Sequence, residues 1–464
     1  MSVQRKSMWG GSAFLLLAIL AAMPWLGAAD RAAGTNPTAQ LTGTAEQGIT
    51  HRDVIPVVEG QESFALGGGS GMTGVIVMTQ GGIKIIDGAT RTASGPFLKG
   101  QLGSEGGGLF DVAITPNASM ALISNFGDSR VNFVSLLNPA APVFLGSVNI
   151  GFFAEDIAIT GDGKWALVTD GGFSSAIAVL NLATRRVASV QIIPGAYFNA
   201  VAVSPDGQTV LCADYFSGGI NVLKMNPATG GLTYVKYMST FPYRPVNVSI
   251  SPDGRTALAS NVGDFTYPPP PDEPPEPPDP DDFPANATIF RIDGPGLVYS
   301  SGYVPMPAVE VHGGQSIAFS RKGTRAFYST NRFYEWVWVV DPDDPDGGYW
   351  NTIEDYEIQI LTVTGPGKVV HSGRTVRLPY DTTSQLFGVD TLAVDPLDNY
   401  LYVSNASVSG AVPYVAVINL WTYKVVKYLD AGTYWDPLDM EYYDYLPVGV
   451  AFRENARPLT QIYP

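Results

Sequence analysis

The chain has one cysteine, Cys212, and three histidines, His51, His312 and His371, in 464 residues. A single cysteine excludes an internal disulfide, so stability must come from packing, and a buried inert thiol is the expectation for Cys212. The histidines are isolated in sequence. No C-x-x-C-H, H-E-x-x-H or G-x-S-x-G pattern occurs, which sets aside a haem attachment, a zincin and a nucleophile elbow. "GSGMTG" (Gly69–Gly74) fits a dinucleotide fingerprint by letters, but a β-rich run follows it rather than a helix. Positive charge is also short, with 27 Lys and Arg against 43 Asp and Glu and a net charge of −16. Such a chain repels phosphate backbones, so nucleic acid is not an expected partner. Beyond Met23 no apolar run is long enough to cross a bilayer, so no integral membrane segment is expected after signal removal.

Glycine and proline are plentiful, at 51 and 36 residues, as many short strands joined by tight turns require. The N-terminus has the parts of an export signal: Arg5 and Lys6, the apolar run Ala13–Met23, and small residues Gly27 and Ala29 before Asp30. Residues 1–29 are read as a signal peptide and 30–50 as a disordered leader. The expected location is exported: periplasmic, extracellular or cell surface.

The remainder, 51–464, is periodic. "VAITPNASMALISN" from Val112 is followed by "IAITGDGKWALVTD" from Ile157, "VAVSPDGQTVLCAD" from Val201 and "VSISPDGRTALASN" from Val248. Further copies start at Ile317, Leu392 and Val450. The first three spacings are 45, 44 and 47 residues, and a period of this size with several strands per unit marks a β-propeller. Third strands are seen in "IAVLNL" (Ile177–Leu182) and "VAVINL" (Val415–Leu420), and fourth strands in "RRVASVQII" (Arg185–Ile193). The expectation is an all-β single propeller of four-stranded antiparallel blades. Seven blades are expected, with eight as the alternative, and the ring closes between N- and C-terminal strands. "LYVSNASVSGAVPYVAVINLWTYKVVKYLDAG" (Leu401–Gly432) resembles the YVTN-type repeat of the lactonase-like β-propellers. That resemblance implies the fold and leaves function open.

Two insertions interrupt the period. In 264–285 eight residues of Pro268–Pro278 are proline, and none can donate to a sheet, so an extended acidic arm is expected. The second, 341–357, opens with "DPDDPDGG", an acidic loop in which Asp341, Asp343, Asp344 and Asp346 are a weak calcium alternative. The spacing misses a calcium loop by one residue. No other cofactor is expected.

Sorting the loops by face gives the candidate sites. The first-to-second turns are plain. The opposite face gathers Tyr215, Phe216, Tyr243, Phe333, Tyr334, Trp336, Tyr434, Trp435 and Asp436, a mixture of aromatic and acidic groups that suits sugars, cations or protein hot spots. These are the candidate ligand-binding residues. The starts of the first strands, Asp111, Asp156, Asn199, Asn247, Gln315 and Asp390, face the channel mouth. The functional expectation is an exported non-enzymatic scaffold that binds a protein, glycan or cell-envelope partner through the loop face. The alternative is a lactonase-like hydrolase or isomerase acting in the central channel, with Arg244, Glu310 and His312 as its candidate acid–base group. Oligomeric state is not legible.

Overall fold

The computed structural model describes residues 72–78, 81–103, 108–172, 174–262, 285–307, 311–312, 315–341, 344–378, 391–405, 414–430, 433–436, 441–444 and 447–452. Segments 1–29 and 30–50, Asp390, Glu310 and, except for Ala285, the insertion 264–285 lie outside them.

Every element among the described residues is a strand. In chain order they are β1 (Thr73–Met78), β2 (Ile83–Asp87), β3 (Thr92–Phe97), β4 (Leu109–Ile114), β5 (Met120–Asn125), β6 (Arg130–Ser135), β7 (Val143–Asn149), β8 (Ala154–Ile159), β9 (Trp165–Asp170), β10 (Ala176–Asn181), β11 (Arg186–Ile192), β12 (Phe198–Val203), β13 (Thr209–Asp214), β14 (Gly219–Met225), β15 (Leu232–Ser239) and β16 (Arg244–Ile250). Then come β17 (Thr256–Val262), β18 (Asn286–Gly294), β19 (Leu297–Pro305), β20 (Val311–His312), β21 (Ile317–Phe319), β22 (Arg325–Asp341), β23 (Asp344–Gly365), β24 (Lys368–Leu378), β25 (Leu392–Val394), β26 (Tyr400–Asn405), β27 (Tyr414–Asn419), β28 (Lys424–Asp430), β29 (Thr433–Asp436), β30 (Glu441–Asp444) and β31 (Pro447–Phe452).

They form seven antiparallel blades in a ring, a seven-bladed β-propeller. The first six blades are β4–β7, β8–β11, β12–β15, β16–β19, β20–β24 and β25–β28. The seventh joins β1, β2 and β3 to β31, so the ring is closed between the two ends of the chain. The eight-bladed alternative is not what forms. Each of the seven blade boundaries holds its own apolar cluster. Ile157, Val168 and Ala178 meet Ala113, Leu122 and Phe133 at the first boundary, for example. The inner strands β4, β8, β12, β16, β21, β25 and β31 face the axis, while outer strands such as β7 and β11 alternate exposed and half-buried residues. Cys212 is fully buried in β13.

The first hairpin of each blade is set by turn chemistry. Ser204 Oγ donates to Asp206 Oδ1 and accepts the Thr209 amide at 2.9 Å, and Asp206 Oδ1 accepts the Gln208 amide at 3.0 Å. Ser251 and Asp253 repeat these bonds. Gly207 and Gly254 both sit at φ +71, as this turn requires. The position also needs bareness, since a Cβ at Gly254 would lie 3.3 Å from Pro205 Cδ of the preceding blade. The turns therefore stack on one another as well as reversing the chain.

Two expectations are corrected here. Phe333, Tyr334 and Trp336 are not in a loop but in β22, and the acidic insertion 341–357 largely continues as β23, so the two strands form one long ribbon. Alternating valine and tryptophan in "EWVWVVD" favours strand over loop. Asp341 pairs with Asp344 at its tip, Asp346 is in β23 and Asp343 lies outside the described residues. Tyr434, Trp435 and Asp436 form a second ribbon, β29–β30, rather than a plain connection.

Candidate functional site in the channel mouth

The inner strands carry β-bulges at the end away from the SPDG turns. Leu109 pairs with Asn125 and Val112 with Ile123, so Phe110 and Asp111 together oppose Ser124. Glu155 and Asp156 likewise oppose Thr169. Asn199 and Val246 are the extra residues of the third and fourth blades. A bulge re-aims side chains and frees a backbone N–H. A hydroxyl on the second strand takes up that N–H: Ser124 Oγ accepts from Asp111 at 2.8 Å, Thr169 from Asp156 at 3.2 Å and Ser260 from Asn247 at 3.0 Å. Ser329 and Ser404 do the same for Ser316 and Thr391.

Asp111, Asp156, Asn199, Asn247 and Gln315 are all half-buried on these inner strands. The two aspartates bridge blades. Asp111 Oδ2 accepts the Ile157 amide at 3.0 Å, and Asp156 Oδ2 accepts the Val201 amide at 2.6 Å. Their carboxyl groups are also hydrogen-bonded to each other. Burial, then the Asp111 charge, pushes Asp156 well above the usual carboxylate range. Burial raises Asp111 too, but the Asp156 carboxyl and the Val112 and Ile157 amides stabilise its charge. Both carboxyl groups are therefore held above the usual carboxylate range, so the pair keeps a proton more readily than two free aspartates would. Glu155, beside them, is buried with Oε2 unpartnered against Gly171 and the Phe126 ring edge. Burial first, then Asp170 and Asp111, raises it well above its ordinary value.

Aromatic rings surround the mouth. Phe126 stacks on Phe153 at 4.7 Å. Tyr197, whose hydroxyl donates to the Gly171 carbonyl at 2.8 Å, meets Phe216 edge-on at 4.6 Å, and Phe216 meets Tyr215 at 5.4 Å. Arg244 lies over the Tyr215 ring at 5.5 Å, and Tyr243 packs with Tyr303 at 5.8 Å. The structure therefore gathers Tyr215, Phe216 and Arg244, with Tyr243 beside Arg244 in the chain. His312 is in β20 opposite Asn331. On the fifth blade a second polar network links Arg332 to Glu357 at 3.3 Å, Glu357 to Gln359, and Gln359 to His371. Among the described residues no group of three or more His, Cys, Asp or Glu converges to hold a metal, and no helix is long and apolar enough to cross a membrane.

Sequence reasoning placed Glu155 among the loop carboxylates without singling it out. It missed the bulge hydroxyls, whose signal is a Ser or Thr just before the Asn or Asp that ends most second strands.

No protein-family model and no curated protein sequence matches the chain. Its fold is similar to that of a functionally unknown protein from Desulfotomaculum acetoxidans, at 16% identity, with a TM-score of 0.57 over 77% of this chain and 95% of that one. It is also similar to the periplasmic gluconolactonase of Pseudomonas aeruginosa, at 15% identity and a TM-score of 0.53, covering 82% of this chain and 96% of that one. A candidate 6-phosphogluconolactonase from Bacteroides uniformis matches at 12% identity and a TM-score of 0.52, covering 82% and 99%. At these identities the likeness is one of fold. The expectation of a non-enzymatic scaffold is corrected here, since two of these neighbours are named as lactonases and favour the enzymatic alternative.

Proposed function

We propose that the chain is a lactonase-like hydrolase acting at the channel mouth. The observation that carries this reading is the Asp111–Asp156 pair, two neighbouring half-buried carboxyl groups on the inner strands, each accepting an amide of the next blade. Opening a lactone needs both forms: a base to take a proton from water and an acid to protonate the departing ring oxygen. Asp111 supplies the first and Asp156 the second. Glu155, held neutral by its apolar surroundings, keeps the cluster's charge low enough for the pair to persist. The aromatic rings at the mouth exclude water from one side of a bound ring, and Arg244 offers positive charge to the carboxylate product. The fold match to a gluconolactonase supports the class of reaction, and the YVTN-type character of Leu401–Gly432 is consistent with it. Arg5, Lys6 and the run Ala13–Met23 support an exported location.

The test is hydrolysis of a panel of γ- and δ-lactones by the purified chain, followed by proton release. Turnover above the spontaneous rate that falls by about 10²-fold or more in Asp111→Asn and Asp156→Asn is expected. A wild-type chain that accelerates no lactone overturns the reading.

A further inference from the structure

The proposed hydrolysis builds negative charge on the carbonyl oxygen, yet the first two blades present carboxyl groups to the channel. The charge must be met from elsewhere. Asn199 and Ala200 together oppose Ala213 in the bulge of β12, so Asn199 stands where the first two blades have Phe110 and Glu155. Its Oδ1 accepts the Tyr215 amide at 3.3 Å. That bond fixes the side-chain orientation, and Nδ2 takes no protein acceptor among the described residues, so the half-buried amide keeps two N–H donors for a ligand. Two residues along the same strand, the Val201 amide is held by Asp156. At about 3.3 Å per residue, Asn199 stands about 7 Å along the strand from that contact, within the span of a small lactone.

The element that locks Asn199 is itself rigid. Asp214, buried at the end of β13, accepts the Tyr197 amide at 3.2 Å, the Ser217 amide at 3.1 Å and Asn221 Nδ2 at 3.2 Å. Tyr215, which follows it, carries Arg244 on its ring. The loop after β13 is therefore braced where it holds Asn199 and meets Arg244, on the blade next to Asp156.

We propose that Asn199 is a catalytic residue, the donor that binds the lactone carbonyl oxygen and stabilises the tetrahedral oxyanion. This rests on the hydrolase reading above. Asp111 takes a proton from water as the water oxygen bonds to the carbonyl carbon, and the carbonyl electron pair moves to the oxygen held by Asn199 Nδ2. On collapse the ring C–O bond breaks and the ring oxygen takes the Asp156 proton. The proton on Asp111 then passes to Asp156 through their hydrogen bond. One lactone and one water become one hydroxy acid, whose own proton goes to solvent.

The experiment compares wild type, Asn199→Asp and Asn199→Ala on the best lactone of the panel, with Tm measured for each. Asn199→Asp keeps the acceptor for Tyr215 and removes the donor. A loss of about 10²-fold to 10³-fold in kcat with KM changed less than about threefold is expected in both variants, with Tm unchanged in Asn199→Asp. A kcat within about threefold of wild type in Asn199→Ala, while Asp156→Asn is inactive, overturns this assignment alone. A wild type with no lactone turnover overturns the hydrolase reading and the assignment together.

Discussion

The carboxyl groups of Asp111 and Asp156 are hydrogen-bonded to each other across the boundary of the first two blades, and each also accepts an amide from the next blade round the ring. Burial at this boundary holds both above the range they would have in water. The ring enforces it: the blades must close, and closure removes water from the bulges that carry the pair.

Stability should therefore depend on pH with a defined sign. Asp111, Glu155 and Asp156 all have folded pKa values raised above their unfolded ones. The folded protein keeps protons that the unfolded chain releases, so stability falls as pH rises from the unfolded carboxylate range through the folded values. Each pH unit between the two costs about 1.4 kcal/mol per group. Glu155→Gln removes one such contribution. Urea unfolding should show the variant gaining on wild type at pH 8 and losing that gain at pH 4. A gain that is independent of pH would contradict the buried-acid assignment.

Ser260 Oγ accepts the Asn247 amide at 3.0 Å and donates to the Gln315 carbonyl at 2.9 Å, joining a bulge of the fourth blade to the fifth. Ser260→Ala leaves both backbone groups without that partner. The expected cost is about 1–3 kcal/mol in denaturant unfolding. The third blade has Ala213 at the corresponding place, so no hydroxyl bond exists there to lose.

The sixth blade departs from the turn pattern. Asp395 stands where the other turns have Ser or Thr, and Leu397 stands where Asp206 and Asp253 accept the hydroxyl proton. Asp395 Oδ1 accepts the Asn399 and Tyr400 amides at 2.7 and 3.1 Å, and its buried Oδ2 has no partner. Burial raises its pKa, so its ionised form is a liability above the folded value and not below the unfolded one. The double substitution Asp395→Ser, Leu397→Asp restores the pattern of the third and fourth blades. Thermal unfolding should show a higher Tm at pH 7, with the advantage shrinking at pH 4.

Ring closure depends on β31. Phe452 is buried, its ring 4.7 Å from that of Tyr402 in the sixth blade, and β31 pairs with β1 from the other end of the chain. Phe452→Ala should cost about 3–5 kcal/mol. Because the seventh blade is shared by both ends, the loss should appear as one transition of lower midpoint rather than as detachment of one blade. Circular dichroism and tryptophan fluorescence should report the same midpoint.

Period, turn chemistry and strand alternation are local properties, and the sequence by itself determined them. The spacing of "SPDG" and its variants specified a ring of four-stranded blades, and the partial last repeat made seven blades closed by both ends the expectation, with eight left open until the fold showed β31 pairing with β1. That the strand starts Asp111, Asp156, Asn199, Asn247 and Gln315 lie on inner strands followed from the same repeats. The bulges were not readable, because a bulge is a mismatch between two strands and each strand looks regular alone. The long β22–β23 ribbon was also hidden, since its acidic tip reads as a loop. Only the tertiary structure decided the burial that raises the Asp156 and Glu155 carboxyl groups above their ordinary range. A carboxyl group's charge state depends on how much water its neighbours remove, and here the neighbours arrive from a different blade.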